Sequence, residues 1–222
     1  MKPHRPSATA FAACLALAAT AWSQVATEAN KNYQTKEGRA ALEKGLGNPV
    51  RVETQKPEEV VAALGIHPGA TVADVGTGVG FMLPYLTKAV GTSGTVFAED
   101  IQNDFLDIAR KKAADEKLAN VKFILGGETN PNLPPGVIDL ELVLDSYHHF
   151  DYPGKMLAAL SASLRDGGRM AIVEYYKDTQ APGHIRLDRD AVIQEIEANA
   201  FRLASRNDHI TAQQYLLIFE KK

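Results

Sequence analysis

Three glycines stand at alternate positions in the segment VADVGTGVGF. They are Gly76, Gly78 and Gly80, and a single acid, Asp74, precedes them in an apolar run. Because glycine has no Cβ, a strand that ends in this pattern and leads into a helix can bring its backbone close to a ligand. The dinucleotide pattern G-x-G-x-x-G needs its last glycine one residue later, so the spacing argues against a nicotinamide cofactor.

A second acid, Asp100, ends the next strand-like stretch, TVFAED. It follows the glycines by about 20 residues, a position from which a carboxylate can accept hydrogen bonds from both hydroxyls of a ribose. The adjacent Glu99 competes for this role, but successive side chains of a strand point to opposite faces. The glycines and Asp100 together predict a site for a cofactor that contains a nucleoside.

The elements that must position these residues alternate between strand and helix from Pro57 onward. Helices of this length between strands require crossover connections and a parallel sheet. The last two strand-like segments, FRLASRND and QYLLIFEKK, have too short a link for a helical crossover, so they must be antiparallel. The expected fold is a doubly wound α/β sandwich: a mainly parallel seven-stranded sheet with helices on both faces and a C-terminal antiparallel strand pair.

At this point the residues carry a family resemblance. The segments VADVGTGVGF, GTVFAEDIQNDFLDIARKKA, IDLELVLDSYHHF and LRDGGRMAIVEYY resemble, in order and separation, the motifs of class I S-adenosylmethionine-dependent methyltransferases. The resemblance covers roughly residues 57–222. It implies the Rossmann-like methyltransferase fold, S-adenosyl-L-methionine as cofactor and a small molecule as methyl acceptor.

The resemblance also implies roles for single residues. Asp74 would orient the glycine loop and the methionine ammonium, and Asp100 would bind the ribose hydroxyls. Ile101 would pack on the adenine face, with Glu128 near the adenine amine. The methionine and ribose portion would be lined by Gly76, Thr77, Gly78 and Gly80. A purely structural reading stays open, in which Asp74 is satisfied by loop amides and the glycines serve a tight turn.

The segment LDSYHHFDYPGK follows the fourth strand and is the densest polar cluster in the chain. Methyl transfer from a sulfonium is a direct displacement, so the protein mainly aligns the reactants and removes a proton. His148 is the predicted general base, with Asp145 as its helper. Adjacent histidines cannot both face a cleft, so one of His148 and His149 is expected to be structural or exposed.

Metal binding is the rival interpretation of the histidines. The candidate ligands would be His148, His149 and His184 with Asp145 and Asp151. The pair HH lacks the shared-face spacing of H-x-x-x-H, and no cysteine is available to help. The sequence therefore predicts no metal site.

The first 23 residues read as a secretory signal peptide. Lys2, His4 and Arg5 form a basic start, and an apolar run of about 14 residues follows, shorter than the roughly 20 that span a bilayer. We expect cleavage after Ser23, no stable membrane anchor and a periplasmic or secreted protein. Residues 24–56 then form an N-terminal extension, and residues 57–222 the methyltransferase-like domain.

Composition excludes other classes of function. The chain has 24 basic and 27 acidic residues, a net charge of −3, and the two signs are interleaved. This pattern does not suggest a nucleic-acid partner. The one cysteine, Cys14, would leave with the signal peptide, so the processed chain could form no disulfide and no thiolate site.

Two functions follow from these patterns. The first is an S-adenosylmethionine-dependent methyltransferase acting on an unidentified small molecule. The alternative is an exported non-catalytic domain that keeps the methyltransferase fold, with or without nucleoside binding, because the cofactor is made in the cytoplasm and the leader directs the chain out of it. Oligomeric state is not predicted.

Overall fold

The computed structural model describes residues 24–222. The predicted signal peptide, residues 1–23, lies outside the described residues. From residue 24 to residue 222, no helix has both the length and the apolar character needed to cross a bilayer.

A seven-stranded sheet forms the centre of the protein. Its strands are β1 (Thr71–Val75), β2 (Thr95–Asp100), β3 (Val121–Leu125), β4 (Ile138–Leu144), β5 (Leu164–Tyr175), β6 (Phe201–Asn207) and β7 (Gln214–Lys221). They lie in the order β3-β2-β1-β4-β5-β7-β6. The first five strands are parallel, and β7 runs antiparallel to both β5 and β6. The predicted sheet and its C-terminal antiparallel pair are confirmed.

The α-helices of the described residues surround this sheet. They are α1 (Thr27–Asn30), α2 (Lys36–Leu46), α3 (Val50–Gln55), α4 (Pro57–Leu64), α5 (Leu83–Val90), α6 (Asn103–Asp115), α7 (Pro153–Ser163) and α8 (Arg189–Glu197). Local chemistry sets several starts: Pro57 opens α4 with two acids in the first turn, and Asp188 caps α8 by accepting a 2.9 Å hydrogen bond from the amide of Ala191.

Helices cover both faces of the sheet, as predicted. One buried apolar cluster joins Val72 of β1 to side chains of α4, α5 and α6. The second joins Ala73 and Val75 of the same strand to α7 and α8. Because side chains alternate along a strand, the two clusters lie on opposite faces, and the apolar runs of the parallel strands are explained by burial on both sides.

The strand register brings the carboxyl ends of β1, β2 and β4 together. Val75 of β1 lies beside Glu99 of β2, and Asp74 lies beside Leu142 of β4. The loops that leave these three strands therefore share one edge of the sheet, and the sequence-predicted site residues lie on those loops.

The N-terminal extension has more structure than the single helical pattern that its sequence suggests. It forms α1, a short 3-10 helix (Lys31–Tyr33), α2 and α3 in succession. The amide of Val25 donates to the carbonyl of Asp151 at 3.1 Å, so the extension is held against the loop after β4. Its polar helices are thus fixed by contacts with residues far away in the chain.

Candidate functional site

A cavity of about 340 Å³ opens where β1, β2 and β4 end. The crossovers after β1 and β4 cover opposite faces of the sheet, so this edge is the topological switch point at which open α/β sheets bind ligands. The N-terminal extension closes the cavity from outside. Its lining residues are Asn30, Tyr33, Gln34, Arg39, Leu46 and Arg51.

The loop after β1 is held by two buried acids. Asp74 accepts a 2.6 Å hydrogen bond from the Thr77 hydroxyl. The amide of Gly76 donates to Oε2 of Glu99 at 3.2 Å. Both contacts tie the loop to carboxylates at the carboxyl edge of the sheet, so its backbone conformation is fixed before any ligand enters.

Asp100 anchors the second half of the same loop. Its Oδ2 accepts from the amide of Gly78 at 2.9 Å, and its Oδ1 accepts from the amide of Gln102 at 2.8 Å. Each oxygen keeps a further lone pair. A carboxylate fixed in this way can still accept ribose hydroxyls while it positions the glycine loop.

Two of the three glycines lie so close to neighbouring side chains that a Cβ would collide with them. A Cβ on Gly76, whose φ is +73°, would lie 2.5 Å from Oγ of Ser146 in the loop after β4. A Cβ on Gly80, whose φ is +79°, would lie 2.9 Å from Leu83 and 3.2 Å from Ala109. Gly76 therefore allows two site loops to touch, whereas Gly80 allows helix packing.

Three acids share the floor of the cavity, and burial shifts their titration. Burial raises the pKa of Asp74 to about 6, opposed by the Thr77 hydrogen bond and helped by the charge of Asp100. Burial also raises the pKa of Asp100 to about 6, opposed by the amides of Gln102 and Gly78. Burial and then the charge of Asp100 raise the pKa of Glu99 well above its usual value. A cationic ligand would favour the ionised forms.

Seven of the eight residues predicted to bind cofactor line the cavity: Asp74, Gly76, Thr77, Gly78, Asp100, Ile101 and Glu128. Gly80 does not line it and contacts helices instead. Glu99 does line it, although alternation along the strand pointed away from a role for this acid. At the last residues of a strand both faces border the loop edge, so neighbouring acids reach the same space.

Aromatic and cationic side chains of the extension complete the wall. The Tyr33 ring packs edge-on against Phe105 at 6.0 Å and against His149 at 4.7 Å between ring centroids. The Arg51 guanidinium lies 4.3 Å from the centroid of the Phe81 ring. Such cation–π packing holds Arg51 over the start of the segment that follows the glycine loop.

Asp145 lines the cavity from the end of β4. Its φ is +55°, a left-handed conformation that residues other than glycine seldom adopt. The carboxylate accepts from Nε2 of Gln55 at 3.3 Å and lies 3.8 Å from the Arg51 guanidinium. Burial, followed by repulsion from Glu174, raises the pKa of Asp145 to about 7.

His148 lies behind the cavity wall and does not line it. Its Nδ1 lies 2.7 Å from Oε2 of Glu174 on β5, and the same oxygen accepts from its amide at 3.3 Å. Glu174 is thus the carboxylate that is hydrogen-bonded to His148, while Asp145, its predicted helper, lies within 4.8 Å of a His148 ring nitrogen. The general-base role of His148 stays a prediction.

His149 is the histidine that lines the cavity. Its Nδ1 lies 2.8 Å from Oδ1 of Asn30, whose Nδ2 donates at 3.0 Å to both the His149 carbonyl and Oδ2 of Asp151. Asn30 therefore fixes the ring orientation of His149 from the N-terminal extension. His149 lines the cavity and His148 does not, although the two rings lie in contact with 4.1 Å between their centroids.

Sequence reasoning missed Glu174 and Asn30. A single acid inside the apolar strand segment AIVEYY is a signal that a buried carboxylate needs a donor, and this signal could have identified Glu174. Nothing local in the sequence distinguishes Asn30 from the other polar residues of the extension.

Comparisons with known proteins agree with this geometry. A family described as "Methyltransferase domain" matches residues 72–168. A solved structure of a SAM-dependent methyltransferase from Aquifex aeolicus is 29% identical, with a TM-score of 0.76 over 81% of this chain and 96% of that one. The PH0226 protein of Pyrococcus horikoshii, at 17% identity and a TM-score of 0.65 over 80% of this chain and 93% of that one, shares the fold.

Curated relatives match over a shorter stretch. The ubiquinone/menaquinone biosynthesis C-methyltransferase UbiE of Marinomonas sp. (strain MWYL1) is 26% identical over 118 residues, which is 53% of this chain and 47% of that protein. The protein of the same name from Vibrio vulnificus (strain YJ016) is 27% identical over 119 residues, 53% of this chain and 46% of that one. The chain spans about half the length of the curated relatives it matches.

The fold and the acid-anchored glycine loop define a Rossmann-like protein of the methyltransferase type. Residues 72–168 match a methyltransferase domain, and the chain is similar in fold and sequence to S-adenosylmethionine-dependent methyltransferases. The cofactor of that class is S-adenosyl-L-methionine.

Proposed function

We propose that the protein transfers the methyl group of S-adenosylmethionine to a small-molecule acceptor. The observation that supports this proposal is that the loops after β1 and β4 line one cavity at the carboxyl edge of the sheet. Asp100 and Gly78 line the cavity from the ends of β2 and β1, and Asp145 and His149 line it from the segment after β4. One cavity therefore presents both the residues proposed to bind the cofactor and polar groups for a second molecule.

The cofactor end has the charge that a sulfonium ligand needs. Asp74, Glu99 and Asp100 are buried acids around the glycine loop, and S-adenosylmethionine brings both an ammonium and a sulfonium. In the proposed arrangement the ribose hydroxyls donate to Asp100, and the methionine ammonium lies towards Asp74. The positive charges of the cofactor would favour the ionised forms of Asp74 and Asp100, whose pKa values are raised by burial.

The acceptor end must hold a nucleophile in line with the methyl group. Displacement at a methyl carbon needs alignment and, for a protonated nucleophile, a group that takes the proton. Asp145 lines the cavity directly, whereas His148 stands behind the wall. The proposal therefore gives the proton-accepting role to Asp145 and makes His148 part of its support. The C-methyltransferase names of the curated relatives make a carbon acceptor the first class to test.

Calorimetry tests the cofactor half of this proposal. Residues 24–222 are titrated with S-adenosylmethionine and S-adenosylhomocysteine, beside Asp100→Ala and the exposed control Asp166→Ala. Binding to the unmutated protein and to the control, with loss in Asp100→Ala, is the expected result. Failure of the unmutated protein to bind either ligand would refute the proposal.

Turnover is tested separately. The protein and cofactor are incubated with quinol-type aromatic acceptors and with fractions of a small-molecule extract, and formation of S-adenosylhomocysteine is followed by mass spectrometry. Product that depends on acceptor and vanishes in Asp100→Ala supports methyl transfer. Cofactor binding with no product in any fraction would favour a domain that binds without turnover.

We also propose that the protein is exported and that the leader is removed after Ser23. Cleavage there leaves Val25 and Ala26, whose amides donate to the carbonyl and to Oδ1 of Asp151, so the docked extension would stay intact. Mass spectrometry of the protein purified from cell fractions checks this. An intact N-terminus in the cytoplasmic fraction would contradict it.

A further inference from the structure

Three histidines meet beside the cavity. The ring centroids of His148 and His149 are 4.1 Å apart, those of His148 and His184 4.7 Å, and those of His149 and His184 5.7 Å. One ring nitrogen from each can be chosen so that all three atoms lie within 4.8 Å of one another. His184 comes from the loop between β5 and α8, so the cluster joins segments that the sequence keeps well apart.

We propose that His148, His149 and His184 bind one divalent first-row transition metal ion, with Zn²⁺ as the type case. Imidazole nitrogens suit zinc, and three histidines with an open fourth position form a known class of zinc site. With zinc–nitrogen bonds of about 2.0–2.1 Å, ring centroids around a tetrahedral ion lie about 5 Å apart, close to the spacing of these rings.

The hydrogen bonds of two rings prepare them for this role. Nδ1 of His148 faces the Glu174 carboxylate, and Nδ1 of His149 faces Oδ1, the side-chain amide oxygen, of Asn30. Both partners are acceptors, so each Nδ1 carries the proton and each Nε2 presents a lone pair. A histidine that ligates a metal characteristically donates its other ring N–H to a carboxylate or carbonyl, which fixes the tautomer and the ring orientation.

An independent observation points to a missing ligand. The His148 side chain is 3% exposed, and its Nε2 is buried without a hydrogen-bond partner among residues 24–222. A buried polar atom without a partner is costly, and native structures seldom leave one without a reason. A metal ion bound by this lone pair supplies the reason.

The site borders the cavity described above. His149 lines the cavity, and so does Asp145, one carboxylate oxygen of which lies within 4.8 Å of ligand atoms of His148 and Glu174. A metal on the three histidines would thus stand at the acceptor end. The inference rests on the histidine geometry alone and does not depend on methyl transfer.

The adjacent pair His148 and His149 gave no sequence signal for this cluster of three histidines. Two adjacent residues on a helix or strand point apart, but Tyr147–His149 is a short 3-10 helix whose two rings lie in contact. The third ring comes from a loop 35 residues away, for which no local spacing rule exists.

Equilibrium dialysis against Zn²⁺ tests the proposal, with bound metal measured by inductively coupled plasma mass spectrometry on untagged, metal-stripped protein. We expect one zinc ion per chain. His184→Gln, a half-buried loop variant, should weaken binding at least tenfold, and Glu174→Gln should weaken it by about 10–100-fold through loss of orientation. His209→Gln, exposed and remote, is the matched control and should bind as the unmutated protein does.

A second readout guards against variants that fail to fold. The thermal midpoint without metal shows whether His184→Gln is folded, and Zn²⁺ should raise the midpoint of the unmutated protein and of His209→Gln but not of His184→Gln. The spectrum of the Co²⁺ form should show tetrahedral coordination. Sub-stoichiometric zinc, or a folded His184→Gln that binds zinc as the control does, would overturn the proposal.

Discussion

The amide of Gly78 donates a 2.9 Å hydrogen bond to Oδ2 of Asp100, which joins the glycine loop of β1 to the end of β2. The same carboxylate holds the start of α6 through Gln102. One side chain thus fixes the loop that would surround the methionine portion and faces the space assigned to the ribose. In the proposed function, Asp100 would therefore couple the order of the loop to cofactor recognition.

Replacement of Asp100 by Asn should weaken S-adenosylmethionine binding at least tenfold. The amide keeps the shape of the side chain but replaces one accepting oxygen with a donor, so it cannot accept from both Gly78 and Gln102 and also serve two hydroxyls. Calorimetry gives the affinity, and Asp166→Asn on the surface is the control. Equal affinities for both variants would remove Asp100 from the cofactor site.

Cofactor affinity should fall as pH drops from 8 to 5. Asp74 and Asp100 have pKa values of about 6, so both become protonated over this interval and stop serving as full acceptors for a cationic ligand. Binding near pH 6 should release protons, seen as a binding enthalpy that varies with the ionisation enthalpy of the buffer. In Asp100→Asn the pH dependence should be shallower; an unchanged slope would assign the titration to other groups.

The same shifts affect the apo protein in the opposite direction. A carboxyl whose folded pKa is raised stabilises the fold below its unfolded pKa, near 4, and this contribution is lost as pH rises through about 6. We therefore expect Asp74→Asn to be less destabilising at pH 8 than at pH 5 in urea unfolding. A destabilisation that grows with pH would contradict the assigned cause, which is burial of the charge.

Replacement of Gly76 by Ala should cost about 2–4 kcal/mol of unfolding free energy, since it adds a collision to a left-handed φ. The new Cβ would lie 2.5 Å from Oγ of Ser146. Gly136→Ala is the matched control, because its φ is +68° and its Cβ would meet nothing within 4 Å. That control should lose only about 1 kcal/mol. Urea unfolding of both variants measures the difference, and equal losses would show that the contact with Ser146 relaxes freely.

Replacement of Asn30 by Ala should loosen the N-terminal extension. Asn30 bonds His149 twice and Asp151 once, and its loss leaves these groups without their partner across the loop. Limited proteolysis should cut residues 24–56 faster than in the unmutated protein, with Asn32→Ala, an exposed neighbour, as control. Identical digestion of both variants would show that other contacts hold the extension.

The sequence predicts the sheet well because its strands are short apolar runs bounded by turns, and the family resemblance supplies their order. It also predicts most of the residues that line the cavity after β1 and β2, since the glycines, Asp74 and Asp100 lie at strand ends whose geometry is shared by the whole fold class. These elements depend on local pattern and on the general rules of parallel sheets.

The acceptor end was predictable only in part. Asp145 and the histidines were found as a polar cluster, but the pairing of His148 with Glu174 depends on the neighbouring strand and on the left-handed turn at Asp145. The contribution of Asn30 depends on a contact across 119 residues of chain. Such contacts follow from the finished fold and leave no periodic signal in the sequence.

The docking of the extension on the loop after β4 has a consequence for the order of biosynthesis. Asn30 leaves the ribosome 119 residues before His149, so the wall that it forms has nothing to rest on until more than half of the chain has been made. The N-terminal extension can dock only after the loop that follows β4 has been synthesised. A growing chain therefore has no closed pocket until synthesis has passed His149.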